Sequence, residues 1–365
     1  MDAAALRAGR VTADRVRPER LRSHRLSAPA PTVAEAAAHL LATQGQEFWG
    51  GRWALALRTR GNPTRSRVDA AFDDGGLVRT WTMRDTLHIV PARDAGWMLG
   101  VTAERQMRQA SRVLAAEGID DDTVRRAERI VRGALRGGDR LTRREFADVM
   151  DAGGVPTAGQ RVYHLIVALA LRGVLCWGPV VPRDGAPTRE QFLVQCEEWI
   201  AGSAAPPEPL AELFRRYIVG HGPAGVRDFA WWTGLPLTLS RQAAEAASDA
   251  LVQVDDGVFA SPAGPRRSPN APEVVALPPF DEYYISYADR SVACDPAFLA
   301  DVGPGVNGMV KPVLLARGEV VGTWTHSLAV GRHDDSPVPE LLAPGAATDA
   351  EIAAALDRYA AFIAG

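Results

Sequence analysis

The strongest constraint on this chain is an order of elements that recurs three times along its 365 residues: helices, then a pair of short β-rich runs around a polar break. In the first copy, Thr32 and Glu35 have the spacing of a capping box, in which each side chain satisfies a main-chain N–H that helix geometry leaves over. They open a helix with Val33, Ala37, Leu40 and Leu41 on one face, predicted to reach Thr43 or Gln44. A second helix is expected over about residues 53–58, ended by Gly61-Asn62-Pro63, and a third runs from behind Pro63 to Asp73-Asp74-Gly75-Gly76. The β-branched and aromatic runs 77–83 and 86–90 then flank Arg84-Asp85 as a hairpin.

The second copy places helices over 120–136, from 143 behind Thr142, and over 159–171, followed by a strand from Val174. In the third, helices are predicted over 209–219, 224–233 and 240–250, with strands on either side of the turn Asp255-Asp256-Gly257. Each helix-turn-helix followed by a hairpin has the order of a winged helix, and three weak copies support one another. After the proline-rich stretch 262–272 the chain turns to strands, read as a small antiparallel or β-barrel-like domain with a terminal helix over 349–364. The fold class is therefore mainly α with β, an α+β chain of three tandem winged helices and a C-terminal β domain. Its expected divisions are 1–115, 116–203, 204–265 and 266–365.

Charge adds a direction. Residues 1–172 hold 28 Arg against 20 acidic residues, a net of +8, while the remainder carries −11. Such a division suits a polyanion partner on one side, and equally a solvated surface in an arginine-rich protein. Seven of those arginines fall in residues 1–30, a stretch that fits either a basic arm or a short leading helix. No apolar run is long enough for a membrane span, and residues 1–25 lack the apolar core of a secretion signal. Three cysteines, odd in number and without metal-ligand spacing, support neither a disulfide framework nor zinc. The expectation is a cytoplasmic protein, monomeric, with no metal and no cofactor.

Several stretches together resemble the YcaQ/AlkZ-like winged-helix DNA glycosylases. They are Gln44-Gly45-Gln46; the hairpin 80–90; 222–235 with Asp228-Phe229-Ala230-Trp231-Trp232; Leu277-Pro278-Pro279-Phe280-Asp281-Glu282-Tyr283-Tyr284 with Tyr287, Asp289 and Arg290; and Val321-Gly322-Thr323-Trp324. The resemblance implies three winged helices and a β-barrel around a DNA channel, with Gln44 and Gln46 as the catalytic motif. It also implies excision of alkylated purines, including bulky or crosslinked N7 adducts, from double-stranded DNA. Gly45 stands where the family usually carries an apolar residue, and Asp85 where a glycine is expected.

The residues themselves permit that chemistry under one condition. On a continuous helix, residues two apart diverge by about 200°, so Gln44 and Gln46 share a target only if the helix ends between them. Gly45 permits such an ending, and in extended chain both amides face one side and can hold one water. An amide is no strong base, so the pair suits a leaving group that is already good, and an N7- or N3-alkylated purine leaves as a neutral base. The competing account is a helix terminus satisfied by two amides.

Arg79, Arg84 and His88 on the hairpin and Arg161 at a helix start are the candidate DNA contacts. A hairpin packed on its own domain, with His88 structural, is the alternative. Asp281 and Glu282 are not read as a catalytic pair, since adjacent residues on a strand face opposite ways, although one of them could serve as an anchor. Lys311, the only lysine, lies far in sequence from the glutamines, which favours a monofunctional hydrolase over a lyase. A non-catalytic winged-helix protein, either a transcriptional regulator or a lesion binder, is the rival reading.

Overall fold

The computed structural model of the chain describes residues 12–184, 187–329, 332–333 and 335–365. Helices alternate with small sheets whose described strand pairs are antiparallel. Two compact units result, one from the chain up to Val68 together with Leu210–Gly365, the other chiefly from Asp69–Arg183 and Thr188–Pro209.

The first unit is built around the helix Phe48–Leu57, which is buried on every side. Its tryptophans explain why. Trp53 Nε1 donates to Ala276 O at 2.7 Å, while its ring lies 5.4 Å from Tyr359 and 5.1 Å from Phe362. The helix is thereby fixed to strand Val274–Leu277 and to the terminal helix Asp349–Ala364. Trp324 Nε1 donates to Leu277 O at 2.9 Å, and its ring packs 4.6 Å from Tyr359, so both of these indole N–H groups, costly to bury unpaired, find carbonyls.

The C-terminal sheet runs in the order Val338–Leu341, Glu319–Thr325, Val313–Ala316, Val274–Leu277. Among the described residues it is open, which corrects the barrel-like closure expected of this region. Four strands are too few to close, and the sheet instead covers its apolar residues with the two helices. The terminal helix spans the residues predicted, capped by Thr348 and Glu351.

Also in the first unit, helix Pro209–His221 leads through the short strand Ala224–Gly225 to helices Val226–Thr233 and Leu237–Ala246. The strands Val252–Asp255 and Val258–Ala260 follow, and Ala224–Gly225 pairs with the second of them. A Cβ added to Gly220 would meet His39 O at 2.8 Å, so helix Pro209–His221 approaches helix Val33–Leu40 as only a glycine allows. Of the basic stretch 1–30, residues Ala13–Ser23 form a helix, and residues 1–11 lie outside the described residues.

The second unit holds the hairpin Leu77–Met83 and Thr86–Pro91 in a sheet with Leu175–Val180 and Gln191–Gln195. Helices Asp121–Ala134, Arg143–Ala152 and Arg161–Leu171 pack around one core that includes Leu135, Phe146, Met150, Leu165 and Leu169. Val162, Leu165, Ile166 and Leu169 are buried, as their spacing on an apolar helix face predicts. The first hairpin pairs with the second through Arg79 opposite Trp177.

Candidate active site

The predicted capping box forms: Glu35 N donates to Thr32 Oγ1, and Thr32 N to Glu35 Oε2, at 3.2 and 3.0 Å. The helix it opens ends at Leu40, earlier than expected, because Leu41 takes φ +67° and ψ −48° and Ala42 N donates to Leu40 O at 2.8 Å across it, a γ-turn. That is a strained choice for a branched side chain. Burial accounts for it, since Leu40 and Leu41 are both fully enclosed and the reversal sends both side chains into the core. Leu41, not Gly45, therefore makes the break on which any joint role of the glutamines depends.

Beyond the break, Thr43–Gln44 is extended and the chain bends through Gly45 and Gln46 before helix Phe48–Leu57 begins. Gln44 is almost wholly buried, and its side-chain Oε1 accepts from the main-chain N–H groups of Gly45 and Gln46 at 3.1 and 3.2 Å. Because both partners are donors, they fix which end of the amide is the oxygen. Gln46 is exposed. The two amides are therefore not equivalent: one closes the bend on itself and the other faces outward.

What fixes the bend comes from far along the chain. Gln44 N donates to Glu282 Oε1 at 2.7 Å, and the other carboxylate oxygen accepts from Trp232 Nε1 at 3.0 Å and from the Ser286 hydroxyl. Glu282, Ser286 and Trp232 are all fully buried. His221 Nε2 stands 3.9 Å from the same oxygen, but burial lowers the His221 pKa to about 3 and keeps the ring neutral. Its ring is stacked on Tyr217 at 4.8 Å, with Nδ1 donating to Tyr217 O at 3.0 Å. Asp281, beside Glu282, is used differently, accepting two hydrogen bonds from Arg58 at 2.9 and 2.7 Å. It also caps the one-turn helix Glu282–Ile285 through Tyr283 N, so the two acids stand at a helix start and not along a strand.

In the second unit, Arg84 and Asp85 form the hairpin turn, each at φ +54°. Helix Ala92–Ala116 braces it: Asp85 N donates to Gln106 Oε1 at 3.2 Å, and Gln106 Nε2 to Thr82 O at 3.0 Å. Arg79 is buried with its guanidinium 5.7 Å from the Trp177 ring, and His88 is wholly buried, its pKa lowered to about 3 by that burial. Arg84 is half-buried, and so is Arg161, whose Nε donates to Pro156 O at 2.8 Å. Gln44 and Gln46 thus lie in one unit and the four candidate DNA contacts in the other.

Against this geometry, a family model described as DNA glycosylase AlkZ-like matches residues 37–362. The chain belongs to that family of AlkZ-like DNA glycosylases. It is 25% identical over 315 residues to the interstrand DNA cross-link repair glycosylase of Streptomyces sahachiroi, across 80% of this chain and 82% of that protein. The solved structure of the Streptomyces sahachiroi DNA glycosylase AlkZ superposes with a TM-score of 0.77 at 22% identity, covering 98% of each chain.

Sequence reasoning singled out the glutamines of this AlkZ-like chain, and allowed Asp281 or Glu282 an anchoring role, without linking His221, Trp232 or Ser286 to them. His221, Trp232, Glu282 and Ser286 lie more than 170 positions from Gln44, and no local period links them. The one available signal was the acidic pair itself, since an acid within an apolar run has to find donors once buried.

Proposed function

We propose that the chain is a monofunctional DNA glycosylase that hydrolyses the N-glycosidic bond of N7- or N3-alkylated purines in double-stranded DNA, bulky or crosslinked adducts included. The observation that carries this reading is the pair of neutral amides in a break between two helices, in a chain of this family. A cationic adduct needs no acid to depart, and the developing oxocarbenium ion needs only a placed water. Gln46, on the exposed side of the bend, is assigned to that water. Gln44 is assigned to the bend itself and, through its amide nitrogen, to the sugar or phosphate beside it.

The reading extends to architecture. The three helix-and-hairpin segments are taken as winged helices within the divisions 1–115, 116–203 and 204–265, with 266–365 as the C-terminal β domain. In support, the third segment pairs a short strand ahead of its second helix with the returning hairpin strand, and Leu141 bridges Leu193 in the same way in the second. Arg84 and Arg161, each only half-buried, are proposed to meet phosphate, while the buried Arg79 and His88 shape the hairpin from beneath.

The test is base release. Purified protein incubated with duplex DNA containing N7-methylguanine, or a bulkier N7 adduct, should yield free base and abasic sites. A folded protein that binds this DNA yet frees neither base is a lesion binder, and the enzymatic reading fails.

A further inference from the structure

We propose that Glu282 is the positioning residue of the Gln44–Gln46 motif, a role that rests on the glycosylase reading above. Three main-chain N–H groups of the bend are satisfied in series. Glu282 takes the N–H of Gln44, and the Gln44 side chain takes those of Gly45 and Gln46. The direction of Gln46 is therefore tied, through Gln44, to where the Glu282 carboxylate stands. That carboxylate is itself held on its other oxygen by Trp232 and Ser286, from a different helix and from the end of its own turn.

Two features separate this from ordinary core packing. One N–H is a small debt to settle with a fully buried carboxylate, whose desolvation far exceeds the worth of one hydrogen bond. A main-chain carbonyl or a hydroxyl would satisfy it at less cost. Two acceptor oxygens are also required by geometry, because both oxygens accept from N–H donors on opposite sides. A glutamine here would set its NH₂ against the indole N–H of Trp232 in one orientation and against the N–H of Gln44 in the other. Either way the bend would shift, and a displacement of about 1 Å in a catalytic group costs on the order of a hundredfold in rate.

The experiment compares single-turnover base release from duplex DNA carrying N7-methylguanine by the unaltered protein and by Glu282→Gln, with DNA affinity measured alongside. The expected result is a rate about a hundredfold lower, with affinity changed by less than about twofold and faster amide exchange at Gln44 but not within helix Phe48–Leu57. A rate within about threefold of the unaltered protein overturns the proposal. If Glu282→Gln does not fold, Ser286→Ala replaces it. That change leaves the bond to Gln44 in place and loosens only the carboxylate, so a severalfold slower release at unchanged affinity is expected, and an unchanged rate overturns the proposal. Should the unaltered protein release no base, the glycosylase reading is what fails, and this role falls with it.

Discussion

Gln44 and Glu282, separated by 238 positions, meet in a 2.7 Å hydrogen bond from main chain to side chain, while the Gln44 amide turns back onto its own bend. Substitutions at the two glutamines should therefore differ in kind. Gln46→Ala removes an exposed side chain, so base release should slow by about a hundredfold or more with no change in melting temperature. Gln44→Ala leaves two N–H groups without their acceptor, so it should slow release and also lower stability by about 1–3 kcal/mol. Single-turnover kinetics beside thermal melts check both, and equal melting temperatures for the two variants would contradict the division of labour.

The ion pair next to Glu282 gives a separate prediction. Arg58 and Asp281 are both wholly enclosed, and their two hydrogen bonds join the end of helix Phe48–Leu57 to the start of helix Glu282–Ile285. Asp281→Asn would strand a buried guanidinium, at a cost of about 3–5 kcal/mol. Urea denaturation should show it, and a loss below about 1 kcal/mol would mean that Arg58 had found another acceptor.

Much of this was legible in the sequence, and the failures have physical causes. The capping box at Thr32 was readable because a cap and its partner lie three residues apart, the spacing that Thr142 and Thr348 also have with Glu145 and Glu351. The end of helix Val33–Leu40 was misplaced because a γ-turn at a leucine has no local signature; only the surrounding core selects it. The sheet that covers helix Phe48–Leu57 comes from residues more than 200 positions away, so the all-round burial of that helix could be suspected from its composition but not its partners. Glu282 was found as an acid and misjudged as a strand residue, because Phe280 at φ +58° turns the chain into a cap that no alternation pattern announces.

Buried histidines set the response to acid. Burial lowers His221 to about 3 and His39 to about 4, with Arg25 adding to the effect on His39, so both folded values lie below the unfolded value near 6.5. Between those limits the unfolded chain binds the protons and the folded chain does not, so their contribution is intact above about pH 6.5 and is lost as pH falls toward 4. The expected slope is about 1.4 kcal/mol per pH unit for each such histidine. His39→Gln, whose amide can still donate to Ser23 O as His39 Nε2 does at 2.7 Å, should flatten the loss by one proton. Urea midpoints from pH 7 to 5 for both proteins provide the check, and parallel curves would remove His39 from the account.

The hairpin turn offers the most direct test of where DNA lies. Arg84 and Asp85 both sit at φ +54°, the geometry of a two-residue turn whose second position favours glycine, and a side chain there costs about 1 kcal/mol. Asp85 N is already held by Gln106, so Asp85→Gly keeps the brace while removing strain and one negative charge. The melting temperature should rise by a few degrees. If this turn approaches phosphate, affinity for duplex DNA should also rise, most at low salt, because a repulsive charge has been removed from a screened contact. Arg84→Ala should act in the opposite sense, weakening binding and reducing the dependence of log Kd on log salt by about one. Affinity unchanged in both variants, with the stabilisation of Asp85→Gly intact, would place the DNA away from this turn and leave the hairpin as scaffold.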